Sequence, residues 1–143
     1  GTIPAEIGNM RKLNLLSLAY NKLQGEVPAD LGWLSELEEL NVARNELEGI
    51  LPAEWGELKN LKRLTLTGNK FRGSIPKAWE GMKKLEYFWG QDNALTGKVP
   101  DFLFRLPVLK RLCLENNFLQ LTEEQKKLDR KGEQYFLLPQ GEK

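Results

Sequence analysis

Leu61-Lys62-Arg63-Leu64-Thr65-Leu66-Thr67-Gly68-Asn69-Lys70-Phe71-Arg72-Gly73-Ser74-Ile75-Pro76 is the stretch that decides the architecture. Leu64 and Leu66 alternate with Arg63 and Thr65, the pattern of a strand with one buried face. Asn69 follows where such a strand must turn, and its amide can both donate to and accept from backbone. Gly73 permits a tight or positive-φ backbone, and Pro76 fixes φ and removes a donor.

A shift of 24 residues in either direction finds the same unit. Asn recurs at Asn21, Asn45, Asn69, Asn93 and Asn117. Pro recurs at Pro4, Pro28, Pro52, Pro76 and Pro100, and Gly at Gly1, Gly25, Gly49, Gly73 and Gly97. Apolar columns keep register: Leu13, Leu37, Leu61, Leu85, Leu109; Leu16, Leu40, Leu64, Phe88, Leu112; Leu18, Val42, Leu66, Gly90, Leu114. Leucine accounts for 27 of the 143 residues, so this repeat dominates the composition. A fixed period in the twenties signals a solenoid.

One coil cannot bury its own leucines, so stacking must supply the core. The strands then align in a parallel sheet with neighbours ~4.8 Å apart. The Asn column becomes a structural ladder. Ala5-Glu6-Ile7-Gly8 and Ala29-Asp30-Leu31-Gly32 suggest a short helical turn on the convex side. Trp55 and Trp79 share a core column with Ile7, Leu31 and Leu103, and Met10, Leu34, Leu58, Met82 and Leu106 form another.

Composition excludes several functions. Lys plus Arg number 21 and Asp plus Glu 20, a net charge of +1 without the basic excess of a nucleic-acid binder. With no His and one Cys, the chain cannot build a Ser-His-Asp triad, a Cys-His pair, a His/Cys zinc site or a disulfide framework. No apolar run approaches the roughly 20 residues needed to span a bilayer. No carboxylate pair is singled out by the spacing of glycosidase chemistry, and no Gly-rich phosphate loop is present. We therefore expect no enzyme and no cofactor.

The unit L-x-x-L-x-L-x-x-N-x-L-x-G-x-[IVL]-P resembles the leucine-rich repeat, in its plant-type 24-residue subclass. The resemblance implies an α/β fold: a right-handed leucine-rich repeat solenoid with a parallel β-sheet on the concave face and short helical or 3-10 turns on the convex face. About five repeats occupy residues 1–121, and residues 122–143 read as a C-terminal capping helix and tail. The resemblance also implies a non-enzymatic module that binds a protein or peptide partner on the concave sheet. A fragment of a receptor or inhibitor ectodomain recognising an extracellular ligand is the alternative.

On that concave sheet the column Asn14, Glu38, Lys62, Glu86, Lys110 alternates in charge, which reads as a self-paired ladder. Tyr87 and Trp89 lie two residues apart, hence on one side of one strand. Arg63 and Arg111 flank Tyr87 in its column, and Gln91 and Asp92 lie at the edge. Exposed Trp, Tyr and Arg are the commonest interface hot spots, so Arg63, Tyr87, Trp89, Gln91 and Arg111 are the candidate partner-binding residues. Gly90 breaks the core rule beside them. Either the Phe88 ring fills the space, or Trp89 turns inward and the strand bulges. Cys113 is expected on the same face as an exposed but incidental thiol.

Beyond Asn117 the period fails. Thr122-Glu123-Glu124-Gln125 reads as a capping box opening a helix to about Lys131, ending near Gly132. Tyr135-Phe136-Leu137-Leu138 is an apolar return, a cap over the last coil or a peptide docking elsewhere. The first coil has no cap and offers a surface for self-association. The related plant receptors and inhibitors carry cysteine-paired caps, absent here, and none of the ten Asn stands in a glycosylation sequon. These absences lead us to expect an intracellular protein.

Overall fold

The computed structural model describes residues 1–142. Each coil runs through a short strand, an Asn turn, a second short strand and a 3-10 turn. The strands are β1 (Leu15–Ser17), β2 (Gln24–Glu26), β3 (Glu39–Asn41), β4 (Glu46–Ile50), β5 (Arg63–Thr65), β6 (Lys70–Gly73), β7 (Tyr87–Trp89), β8 (Ala94–Lys98), β9 (Arg111–Cys113), β10 (Phe118–Gln120) and β11 (Tyr135–Phe136). The odd-numbered strands form a six-stranded parallel sheet in chain order, the concave face. The even-numbered strands form a second, five-stranded parallel sheet along the side of the solenoid. This lateral sheet occupies the segment after each Asn, beyond the single concave sheet expected from the sequence. Its physical origin is a second period-2 pattern: in β4, Leu47 and Gly49 are buried while Glu46, Glu48 and Ile50 face out. Gly25, Gly49, Gly73 and Gly97 adopt φ of 77–84°, a region L side chains avoid, and this bends each lateral strand into the following proline.

Prolines 4, 28, 52, 76 and 100 stand just before the 3-10 turns Ala5–Asn9, Ala29–Trp33, Ala53–Glu57, Lys77–Gly81 and Asp101–Arg105. Gly8, Gly32 and Gly56 let these convex turns touch. A Cβ on them would lie 2.5, 2.4 and 2.2 Å from the carbonyl oxygens of Asp30, Glu54 and Ala78. Trp55 and Trp79 are core residues as expected, stacked at 6.0 Å. Their indole N–H groups donate to the Pro28 and Pro52 carbonyls at 3.0 and 2.7 Å, so each ring ties its coil to the one before.

The Asn column forms the expected ladder. Asn69 Nδ2 donates to Leu66 O in its own coil at 3.1 Å and to Val42 O one coil back at 2.9 Å, while its Oδ1 accepts from Leu47 N at 3.0 Å. Asn45, Asn93 and Asn117 repeat the arrangement.

Three expectations about the ends need correction. Met10, expected in a core column, is 55% exposed in the first of the described coils. Leu13, Leu16 and Leu18 are half-buried there. The capping box forms, with Thr122 Oγ1 accepting from Gln125 N at 3.1 Å and Gln125 Oε1 from Thr122 N at 3.0 Å. The helix α1 nevertheless covers only Glu123–Lys126 rather than reaching Lys131. Tertiary bonds outcompete propagation: Asp129 Oδ1 accepts from Leu137 N at 2.7 Å, and Arg130 takes a left-handed φ of 60°. The remaining tail winds as one more coil. β11 extends the concave sheet beside β9, with Tyr135 opposite Leu112 and Phe136 opposite Cys113. Gln140 occupies the ladder position, its Nε2 donating to Leu114 O at 2.6 Å and its Oε1 accepting from Leu119 N at 2.9 Å. Cys113, expected to be exposed, is 6% exposed, held in its column between Trp89 and Phe136. Burial pushes its thiol up to about 11, with Glu115 adding to the shift.

Replacing Gly56 by Ala should cost about 1–3 kcal/mol, read as a lowered melting temperature, through overpacking against the Ala78 carbonyl. Gly1→Ala, whose Cβ meets nothing within 4 Å, should melt like the parent. Alkylation of Cys113 by iodoacetamide should be slow at neutral pH and accelerate as pH rises toward 11, because only the thiolate reacts. Gln140→Ala, which unties the final coil, should bring that rate closer to that of a free thiol.

Candidate partner-binding face

β5, β7 and β9 hold Arg63, Tyr87, Trp89 and Arg111 in three adjacent rows, and Gln91 follows β7. Arg63, Tyr87 and Arg111 lie in register, as do Thr65, Trp89 and Cys113. Alternation along β7 sends Phe88 inward and leaves Tyr87 and Trp89 half-buried on the concave side. Of the two outcomes left open at Gly90, the first holds. A Cβ there would lie 3.1 Å from Phe88 Cε1 and 3.2 Å from Leu114 Cδ2, so the larger ring occupies the space a leucine would fill. Phe88 also packs on Trp79 at 5.8 Å. Trp89 is thereby freed from the core.

The Tyr87 and Trp89 rings stack at 5.1 Å and 6° between planes. Arg63 sits with its Cζ 5.6 Å from the Tyr87 ring and its Nη1 3.6 Å from Glu39 Oε1. The guanidinium therefore lies between the Glu39 carboxylate and the Tyr87 ring. Gln91 Oε1 accepts from the Thr67 hydroxyl at 3.2 Å, and Asp92 accepts from Asn116 Nδ2 at 2.8 Å. Arg44 Nη2 approaches Asp92 at 3.7 Å by passing over Gly68 and skips a coil, forming a polar rim. Arg111 does not join Tyr87. Its Cζ lies 5.3 Å from the Phe136 ring, and Arg130 contacts that ring at the same distance. Thus Arg63, Tyr87 and Trp89 form one cluster with Gln91 at its margin, while Arg111 belongs to a second cluster built on the cap.

Phe136 is the concave residue that sequence reasoning missed. Its signal was present: Gln140 follows Asn117 by 23 residues, and Leu137 precedes it as Leu114 precedes Asn117. The charged column pairs in part, with Lys62–Glu38 and Lys110–Glu86 each at 3.3 Å. A shallow hollow of about 330 Å³ opens among the charged columns, lined by Glu38, Glu39, Lys62, Arg63 and Glu86. Among the described residues no group of three or more His, Cys, Asp or Glu is placed to hold a metal ion. Glu115, at the C-terminal end of the face, has its carboxyl raised by burial, and its Oε1 has no hydrogen-bond partner.

Comparison with known proteins places this geometry. The Leucine Rich Repeat family model matches residues 36–58 and 60–82. No curated protein sequence gives a significant match. Among solved structures, the ectodomain of the plant membrane receptor kinase GASSHO1/SCHENGEN3 from Arabidopsis thaliana, in complex with CASPARIAN STRIP INTEGRITY FACTOR 2, is similar at TM-score 0.80 and 40% identity, covering 82% of this chain and 14% of that one. A TDR receptor is similar at TM-score 0.81 and 33% identity, covering 82% and 20%. The BIR3–SERK2 complex from Arabidopsis thaliana is similar at TM-score 0.75 and 32% identity, covering 89% of this chain and 69% of that one. The chain thus spans only a seventh and a fifth of the first two structures it matches.

These neighbours overturn the expected intracellular location: they include ectodomains of plant receptor kinases and point to the extracellular side. That expectation rested on missing terminal cysteines and sequons, and a segment this short relative to its neighbours does not test either. Such ectodomains are typically non-enzymatic, and no helix among the described residues is long and apolar enough to cross a membrane. The 24-residue coils, the Asn ladder, the lateral sheet and these likenesses together establish that the chain belongs to the leucine-rich repeat family, in its plant-type subclass.

Proposed function

We propose that this chain is a non-enzymatic binding module whose concave face receives a protein or peptide partner. Its contact centre is Tyr87, Trp89 and Arg63, with Gln91 at the margin and Arg111 contributing beside Phe136. The observation that carries this reading is the stacked Tyr87–Trp89 pair held on the concave side, where a core Phe88 compensates for Gly90. Two large rings already stacked on one another lose less entropy when a partner covers them than free side chains would. Neither a nucleic acid nor a cofactor enters this reading. The segment that begins at Thr122 serves as the cap that completes the face, through Phe136. Within this reading, the setting favoured is a receptor ectodomain or a related extracellular module, because the solved neighbours include receptor-kinase ectodomains, one bound to CASPARIAN STRIP INTEGRITY FACTOR 2. Catalysis by Cys113 runs against its burial and its raised thiol.

The test is affinity capture of partners with the parent chain and with Tyr87→Ala and Trp89→Ala, followed by titration of the partner recovered. Each substitution should weaken binding by at least about tenfold, the scale of a hot-spot truncation. Lys59→Ala on the convex side should leave binding unchanged. Equal affinity for the parent and both aromatic variants would remove this site.

A further inference from the structure

The two sheets treat their charges differently. On the concave sheet, charges are paired between neighbouring coils: Glu38 with Lys62, Glu39 with Arg63, and Glu86 with Lys110. On the lateral sheet, among the described residues, no ion pair within 4 Å joins the outward charges. They are instead segregated. β2 and β4 present Glu26, Glu46 and Glu48, whereas β6 and β8 present Lys70, Arg72 and Lys98, all exposed. Glu26 and Glu48 face one another in register, where like charges repel, and Glu48 faces Lys70 across the boundary between the halves without closing to an ion pair. Between the acidic and basic halves stands Ile50, 55% exposed and leaning over Gly73. An apolar spot ringed by unpaired charge is the composition of an interface, with a dry centre and a polar rim.

From this arrangement we infer that the lateral sheet is a self-complementary docking surface for a second copy of this chain. Consider a two-fold axis lying above the sheet, along the strands and between β4 and β6. It reverses the strand order and keeps the strand direction, so β4 of one copy faces β6 of the other. The register sets Glu48 level with Lys70 and Ile50 level with Arg72 within one copy. The same register therefore places Glu48 against the second copy's Lys70, and Ile50 against the stem of its Arg72. Two-fold symmetry makes each contact twice. The Glu26–Glu48 repulsion is relieved at the same time. Five strands ~4.8 Å apart make a face only ~24 Å wide, so the dimer is weak and governed by charge. The contact leaves the concave face open, and the pairing is independent of what binds there.

Sedimentation velocity on the full chain tests this at high protein concentration, in roughly 20 mM and roughly 500 mM salt, a range over which screening removes surface attraction. The parent should dimerise at low salt and be monomeric at high salt. E26K/E48K and K70E/R72E should each be monomeric in both, while still melting cooperatively as folded chains because every altered side chain is exposed. Mixed in equal amounts at low salt, the two variants should recover a dimer, since each supplies the charge the other lacks. A parent that stays monomeric at low salt overturns the inference. So does a mixture of folded variants that fails to associate. Association that resists salt and survives in both variants would also overturn it, and would assign self-contact to the apolar β1 edge instead.

Discussion

The Asn amide at the end of each concave strand is the interaction on which the solenoid depends. Its Nδ2 gathers backbone carbonyls from its own coil and the preceding one, and its Oδ1 takes an N–H from that preceding coil. These groups lie where the chain leaves one sheet and enters the next, out of reach of either ladder. Left unmade inside the stack, each would cost the full desolvation of a buried polar group. The amide satisfies them at every step, so the two sheets can be joined by a tight corner. Gln140 confirms the requirement at the end of the chain: a longer amide reaches the same carbonyl and N–H positions with one residue fewer in the coil.

Once the corners are fixed, the outward positions are free to vary, and they vary differently on each face. The concave sheet neutralises most of its charge internally and concentrates ring surface in β7. The lateral sheet leaves its charges unpaired and sorts them by sign. The balanced net charge of +1 conceals this contrast, because a sum over the chain says nothing of how neighbouring strands share their charges.

Much of the fold was legible in the sequence because a 24-residue period places equivalent residues at equivalent depths. The core columns, the tryptophans, the Asn ladder and the concave location of Tyr87 and Trp89 all follow from that single fact. Reading failed where the period does. Thr122–Gln125 carries a sound helix start, but propagation beyond Lys126 depends on whether Asp129 finds a better partner, and Leu137 N supplies one. Arg111 shares a column with Tyr87, yet its guanidinium turns to Phe136, because a column determines neighbours and not which ring wins.

By itself the sequence determined the solenoid, its register and the face on which each side chain emerges, since alternation and period act through local backbone geometry. The tertiary structure decided the pairing of the lateral strands into a second sheet, the docking of the tail as a further coil, the burial of Cys113 and the partner chosen by each arginine. These outcomes turn on competition between hydrogen-bond and ring partners more than 20 residues apart or outside the repeat, and no local pattern ranks such partners.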